Sequence, residues 1–183
     1  MIRFFDFLFS LIGLIVFSPV LFILAIVGFF DTGSPFFVQK RIGRNGQLFS
    51  LVKFRSMSLN TQSVATHLVN KNAVTKFGDF LRKSKLDELP QLWNVLIGDM
   101  SLVGPRPNLP NQEELIQERS SRNVYSVRPG ITGLAQIQEI DMSTPKLLAE
   151  TDAWMIQNLN LINYFKIIFA TIIGKGFGDR IKV

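Results

Sequence analysis

The strongest pattern in the chain is an uncharged apolar run, Phe7 to Phe30, "FLFSLIGLIVFSPVLFILAIVGFF". Its 24 residues are enough for one helix to cross a hydrocarbon core of about 30 Å. A cleaved signal peptide fits poorly, because the run is too long and no A-x-A site follows it. A small domain also rarely encloses a helix that is apolar all round. Ser18-Pro19 interrupts the run near its middle. Proline in a helix interior removes a hydrogen bond and costs roughly 3 kcal/mol. In lipid the freed carbonyl needs a partner, and the Ser18 hydroxyl is one. Two geometries follow: a kinked span, or an element that turns at the break and leaves by the face it entered. Arg3 before the run, and Lys40, Arg41 and Arg44 after it, favour both ends on the cytoplasmic face.

The pattern then changes period. "SPFFVQKRIGRNGQLFSLVKFRSM" reads as a β-hairpin turning at Asn45-Gly46, the pair favoured for a type I′ turn. Residues 58–76 are polar and irregular, a surface loop. "KFGDFLRKS" is a short helical turn ending near Ser84. Leu89, Leu92, Trp93 and Leu96 follow at helical spacing and predict one apolar face. Ser84-x-x-Asp87 resembles a capping box in front of that helix, with Pro90 tolerated in its first turns. On this reading Asp87 and Glu88 simply complement a helix dipole. Residues 111–122 predict a charged, exposed helix, and residues 144–160 another. The last apolar run, "LNLINYFKIIFATIIGKGFG", has an uninterrupted part, Ile167 to Gly174 between Lys166 and Lys175, that is too short to span. It fits either an amphipathic helix in the membrane interface or a core-packing helix.

Charge and composition narrow the chemistry. A net charge of +6 points to an anionic partner. With no Cys, disulfides and thiolate metal sites are excluded, and the single His67 excludes a multi-histidine site. Neither G-x-G-x-x-G nor a P-loop occurs. The basic residues are scattered, which disfavours nucleic acid. Lys40, Arg41, Arg44, Lys53 and Arg55 on the hairpin read mostly as a solvated basic surface, with some available to a phosphate. Arg106 in "GPRP" and Arg128 in "VRPGITG" stand on proline-stiffened loops, pre-organised donors for phosphate oxygens.

Taken in order, the Ser-Pro break, Q-x-R-x-G, "KFRSM", "LRKSKLDELPQLWNVLIGDMSLVGPRP" and "RPGITG" resemble the bacterial sugar transferases of the monotopic phosphoglycosyl transferase superfamily. The resemblance covers nearly the whole chain, in what looks like the minimal form without further N-terminal membrane helices. It implies an α+β, mainly helical fold. Residues 1–32 would be a re-entrant membrane helix broken at Ser18-Pro19. Residues 33–183 would be a cytoplasmic, membrane-associated catalytic domain, with a small β-hairpin and interfacial amphipathic helices around the site. The implied reaction moves a sugar 1-phosphate from a UDP-sugar to a polyprenol (undecaprenyl) phosphate on the cytoplasmic face of the bacterial inner membrane. That product begins a surface glycan and passes to downstream glycosyltransferases. Asp87 would be the nucleophile that releases UMP, and Glu88, with Asp87, would hold Mg²⁺. Arg106 and Arg128 would clamp phosphate and nucleotide groups, with Lys53, Arg55, Arg82, Asp99 and Asp152 as further substrate-binding positions. Membrane lipids are expected partners, and the apolar helices are compatible with a homodimer. Lys85 departs from the usual Ser or Thr, "NKNAVTKFG" from an acidic, Arg-containing version, and Leu134 from the usual Trp. A competing class is a non-catalytic membrane adaptor with a basic lipid-binding face. A second enzyme class is a metal-dependent lipid diphosphatase.

Overall fold

The computed structural model describes residues 1–59 and 73–174. Most of the loop expected at 58–76, with His67, lies outside the described residues, as does Lys175. The fold is α+β and mainly helical.

Helices α1 (Ile2–Val16) and α2 (Ser18–Thr32) form the apolar run. Pro19 has no N–H for the carbonyl four residues earlier, that of Ile15. The Ser18 hydroxyl donates to that carbonyl at 2.7 Å, which satisfies the break. The two helices meet at a 62° bend, and no single described helix is long and apolar enough to cross a membrane. The pair passes that test together. Its burial pattern is inverted: Asp6 and Ser10 are buried, whereas Phe4, Phe7, Ile15, Phe22, Phe29 and Phe30 are exposed. Both ends of the pair pack on the rest of the chain. Near the start, α1 lies against α4 and β3. Towards the other end, Leu24 of α2 joins Phe54 and Leu81 in one cluster, and Gly28 approaches Pro35 and Phe77.

Strands β1 (Phe36–Ile42) and β2 (Leu48–Phe54) pair antiparallel, with Ile42 opposite Leu48. Asn45 and Gly46 adopt positive φ as their types predict, and Gln47 N–H donates to Arg44 O at 3.2 Å. The loop is nevertheless longer than a two-residue turn. Gly43 is one residue extra between this turn and the Ile42–Leu48 pair, a bulge at the hairpin tip.

Helix α3 (Lys76–Ser84) is capped by Thr75, whose side chain accepts from Gly78 N–H and donates to Asp31. A Cβ on Gly78 would sit 2.0 Å from Ser56 O, so only glycine lets α3 lie on the strand exit. The expected capping box at Ser84 does not form. Ser84 is the last residue of α3, and its hydroxyl donates back to Phe80 O and Leu81 O. The next turn instead has Lys85 at its N-cap position, and no side chain caps it.

A 3₁₀ turn, Leu86–Glu88, leads to α4 (Gln91–Ile97). The apolar face predicted for α4 is not its buried face. Gln91, Asn94 and Val95 are buried and Trp93 is exposed, while Leu92 meets Gly13 of α1. Asn94 explains the rotation: its amide donates to Ser50 O at 2.8 Å and accepts from Val52 N–H at 3.0 Å, stitching α4 to the edge of β2.

Beyond α4, β3 (Ser101–Val103) pairs in parallel with β4 (Gly130–Thr132), an element the sequence pattern did not announce. Helix α5 (Glu113–Ser121) separates them, and α6 (Leu134–Ile137), α7 (Pro145–Gln157) and α8 (Leu161–Ile172) follow. Helix α8 has two faces. Tyr164 and Ile167 pack with Val103 and Met155, while Ile162, Phe169 and Ile172 are exposed.

Candidate functional site

The carboxylate pair stands where α3, β2 and the loop after β3 converge. The chain reaches it through Lys85, which ends α3 in the left-handed region (φ 57°) where glycine is usual. That reversal lets a 3₁₀ turn start at once, so Asp87 and Glu88 sit in a tight turn ahead of α4 rather than in its first turn. Asp87 is buried, at 8% exposure. Burial and the adjacent Glu88 push its carboxyl up to about 7, against the pull of Lys53, Arg82 and Arg106. Glu88 Oε1 accepts from Arg106 Nη2 at 3.0 Å. Lys85 joins the cluster: burial lowers its ammonium, Glu88 opposes the shift, and Arg106 adds to it. Lys53, on β2, also lies over the Phe37 ring at 5.7 Å.

Arg106 owes its position to contacts far apart in sequence. The parallel β3–β4 pairing continues past the strands: Gly104 N–H donates to Thr132 O, and Gly130 N–H to Pro105 O. A Cβ on Gly130 would lie 2.1 Å from Gly104 N, so the two Arg-Pro loops touch only because both residues are glycine. From the hairpin, Arg41 donates to Pro107 O at 3.1 Å, and Ile42 N–H to Asn108 O at 3.0 Å. From behind, Arg119 donates to Arg106 O at 2.8 Å and to Asn108 Oδ1 at 3.0 Å.

The structure therefore brings together Asp87, Glu88, Lys53, Arg82 and Arg106 from the residues singled out by sequence. The other four make contacts of their own. Asp152 is in the interior, 1% exposed, paired with Arg119 at 2.7 Å. Burial pushes its carboxyl up and the guanidinium opposes that shift. Arg55 holds Ser34 O and Phe36 O and lies over Phe37, at the exit from α2. Arg128 Nε donates to Gly98 O at 2.7 Å, and Asp99 accepts from Asn94. Gly98 and Asp99 follow the C-terminal end of α4. Arg119 was missed, because 111–122 reads as an exposed helix. Leu115, four residues earlier and equally buried, was the available signal.

Among the described residues no group of three or more His, Cys, Asp or Glu could hold a metal ion. Two carboxylates beside a phosphate are nonetheless a donor set that suits Mg²⁺, which keeps waters and takes substrate oxygens. Asp87 and Glu88 would be the two carboxylates of such a set, with the phosphate supplied by substrate.

A buried carboxylate facing three cations, beside a second carboxylate, suits group transfer on an anionic substrate. Residues 1–176 match the bacterial sugar transferase family, and the chain belongs to it. It is 36% identical over 190 residues to the UDP-galactose-lipid carrier transferase of Erwinia amylovora, covering 93% of this chain. It is 37% identical over 190 residues to the undecaprenyl-phosphate galactose phosphotransferase of Salmonella typhimurium, covering 92% of this chain. The chain spans 39% of the length of each of these relatives. With the exopolysaccharide production protein ExoY of Rhizobium meliloti it shares 39% identity over 188 residues, 93% of this chain and 83% of that protein.

Proposed function

We propose that this chain transfers a sugar 1-phosphate from a UDP-sugar to a polyprenol phosphate at the cytoplasmic face of the bacterial membrane, starting a surface glycan. The observation that carries the reading is the buried Asp87, held among Lys53, Arg82 and Arg106 beside the Glu88–Arg106 ion pair. A carboxylate can attack phosphorus, and a diphosphate resists that attack by charge repulsion, which such cations relieve.

In the first half-reaction an Asp87 oxygen bonds to the β-phosphorus. The bond from that phosphorus to the α–β bridging oxygen breaks, and UMP departs with the electron pair. In the second, an oxygen of the polyprenol phosphate attacks the aspartyl phosphorus and returns Asp87 as a free carboxylate. Mg²⁺ held by Glu88 and Asp87 would neutralise charge on the diphosphate oxygens. Lys53 and Arg82 lower the Asp87 pKa towards the ionised form the attack needs. Arg106 is positioned to exchange part of its contact with Glu88 for a phosphate oxygen.

Two observations support a re-entrant membrane element. The α1–α2 pair exposes most of its large apolar side chains and buries Asp6 and Ser10. Both of its ends also pack on one body, α1 on α4 and β3, and α2 on Phe54 and Leu81. A chain that enters and leaves by the same face meets both constraints. The exposed Trp93, Trp154, Phe169 and Ile172 would then lie in the interface.

The test is UMP release from UDP-sugars with Mg²⁺ and polyprenol phosphate, beginning with UDP-galactose because two relatives are named for galactose. Asp87→Asn should release no UMP and carry no phospho-sugar adduct. Full turnover by that variant would remove Asp87 from the mechanism. Turnover without a nucleotide sugar would favour a lipid diphosphatase.

A further inference from the structure

Helix α1 carries two charged side chains, and both are spent on the segment between the carboxylate pair and Arg106. Arg3 donates to Val95 O at 2.6 Å and to Leu96 O at 3.0 Å, the last carbonyls of α4. A cation there also complements the negative end of the helix. One turn on, Asp6 is 2% exposed and accepts from three donors on two further elements. Leu102 N–H reaches Oδ1 at 2.9 Å, Tyr164 O–H reaches Oδ1 at 2.9 Å, and the Ser101 hydroxyl reaches Oδ2 at 2.9 Å. The first two bonds tie α1 to β3 and to α8. Further along the same face, a Cβ on Gly13 would lie 3.0 Å from Leu92 Cδ1, so α1 and α4 are close-packed. Arg3, Asp6, Ser10 and Gly13 recur at spacings of 3, 4 and 3, one stripe of an α-helix.

Anchoring alone does not require this arrangement. An apolar helix is held by its surroundings, and a buried carboxylate near a membrane is costly unless fully hydrogen-bonded. The clamped residues, 95–102, link Asp87-Glu88 to Arg106, and the Glu88–Arg106 ion pair bridges those two ends. A shift of α4 against β3 would move that pair apart.

We propose that Arg3 and Asp6 are positioning residues, through which the membrane helix sets the distance between the Asp87-Glu88 pair and Arg106. The kinetic part of this proposal rests on the transfer reading of the site; the structural part does not. Displacement of a catalytic group by about 1 Å can lower a rate up to roughly a hundredfold.

The test uses the full chain in lipid nanodiscs, as wild type, Asp6→Ala, Asp6→Asn and Tyr164→Phe. Amide hydrogen exchange is measured over residues 86–106, and kcat and KM are measured for UMP release. Asp6→Ala should speed exchange across 95–106 and lower kcat at least tenfold with little change in KM for the nucleotide sugar. Asp6→Asn keeps an acceptor oxygen for Leu102 and Tyr164 and should recover most of both losses. Tyr164→Phe, which removes one donor and no packing, should fall between. Unaltered exchange at 95–106 in Asp6→Ala overturns the clamp whatever the activity. So does equal loss in Asp6→Ala and Asp6→Asn, which would reduce Asp6 to a stability element. Absence of UMP release from the wild type would instead overturn the transfer reading, and the exchange arm would still decide the clamp.

Discussion

Replacing Asp87 by asparagine should abolish turnover and, above neutral pH, make the protein more stable. The magnitude follows from the position of its carboxyl. In the unfolded chain Asp87 ionises near 3.8, and in the fold burial and Glu88 raise it to about 7. Between those values the native state holds a proton that the unfolded state has lost, so stability falls as pH rises from about 4 to about 7. Above 7 both states are ionised and the full penalty remains. Each unit corresponds to about 1.4 kcal/mol, so the penalty is up to about 4 kcal/mol. Asparagine carries no charge at any pH and escapes it. For a chain of this size 1 kcal/mol moves Tm by roughly 2–4 °C, so the expected gain is on the order of 10 °C. The assay is thermal melting of wild type and Asp87→Asn in one detergent with a chelator, from pH 4 to pH 8.5. The difference should be near zero at pH 4, grow through pH 5–7 and level off above. A variant no more stable than wild type at pH 8, or a gain independent of pH, would refute the argument that burial rather than pairing governs this carboxylate.

Three further outcomes follow from the same geometry. On the proposed mechanism Asp87 attacks in its ionised form, so kcat/KM for UMP release should rise through a limb near pH 7, about tenfold lower one unit below it; a flat profile from pH 5.5 to 8 would assign the limb elsewhere. Arg119→Met strands Asp152 as a buried charge and should cost about 3–5 kcal/mol of stability by thermal melting, with most of it regained in Arg119→Met/Asp152→Leu. The chain has no cysteine, so single probes are clean: Ser34→Cys and a cysteine ahead of Met1 should both react with an impermeant maleimide from the cytoplasmic face, whereas a spanning helix would separate them.

The long apolar run, its break, the hairpin and most helices were legible along the chain, because each follows from local chemistry. Proline cannot donate, Asn-Gly accepts positive φ, and apolar side chains recur at helical spacing. The acids and the arginines were also legible as chemistry, and the motif order led to the family that residues 1–176 match. What local pattern misjudged was orientation. Ser84 looked like a cap until the tertiary structure carried α3 through it. The face of α4 was assigned by its leucines, yet Asn94 turned it by bonding the edge of β2.

The sequence by itself determined which groups are available: two adjacent acids, arginines stiffened by proline, and an apolar run with a satisfied break. Only the tertiary structure decided which of them meet. Arg106 faces Glu88 because a parallel pairing between Ser101–Val103 and Gly130–Thr132 stacks two loops distant in sequence, at a point where only glycines fit. Asp152 and Arg119 became an interior pair, and Arg3 and Asp6 tied α1 to the segment between Glu88 and Arg106. Those partners are set by contacts across 18 to 158 positions of sequence, a distance over which periodicity and spacing carry no signal.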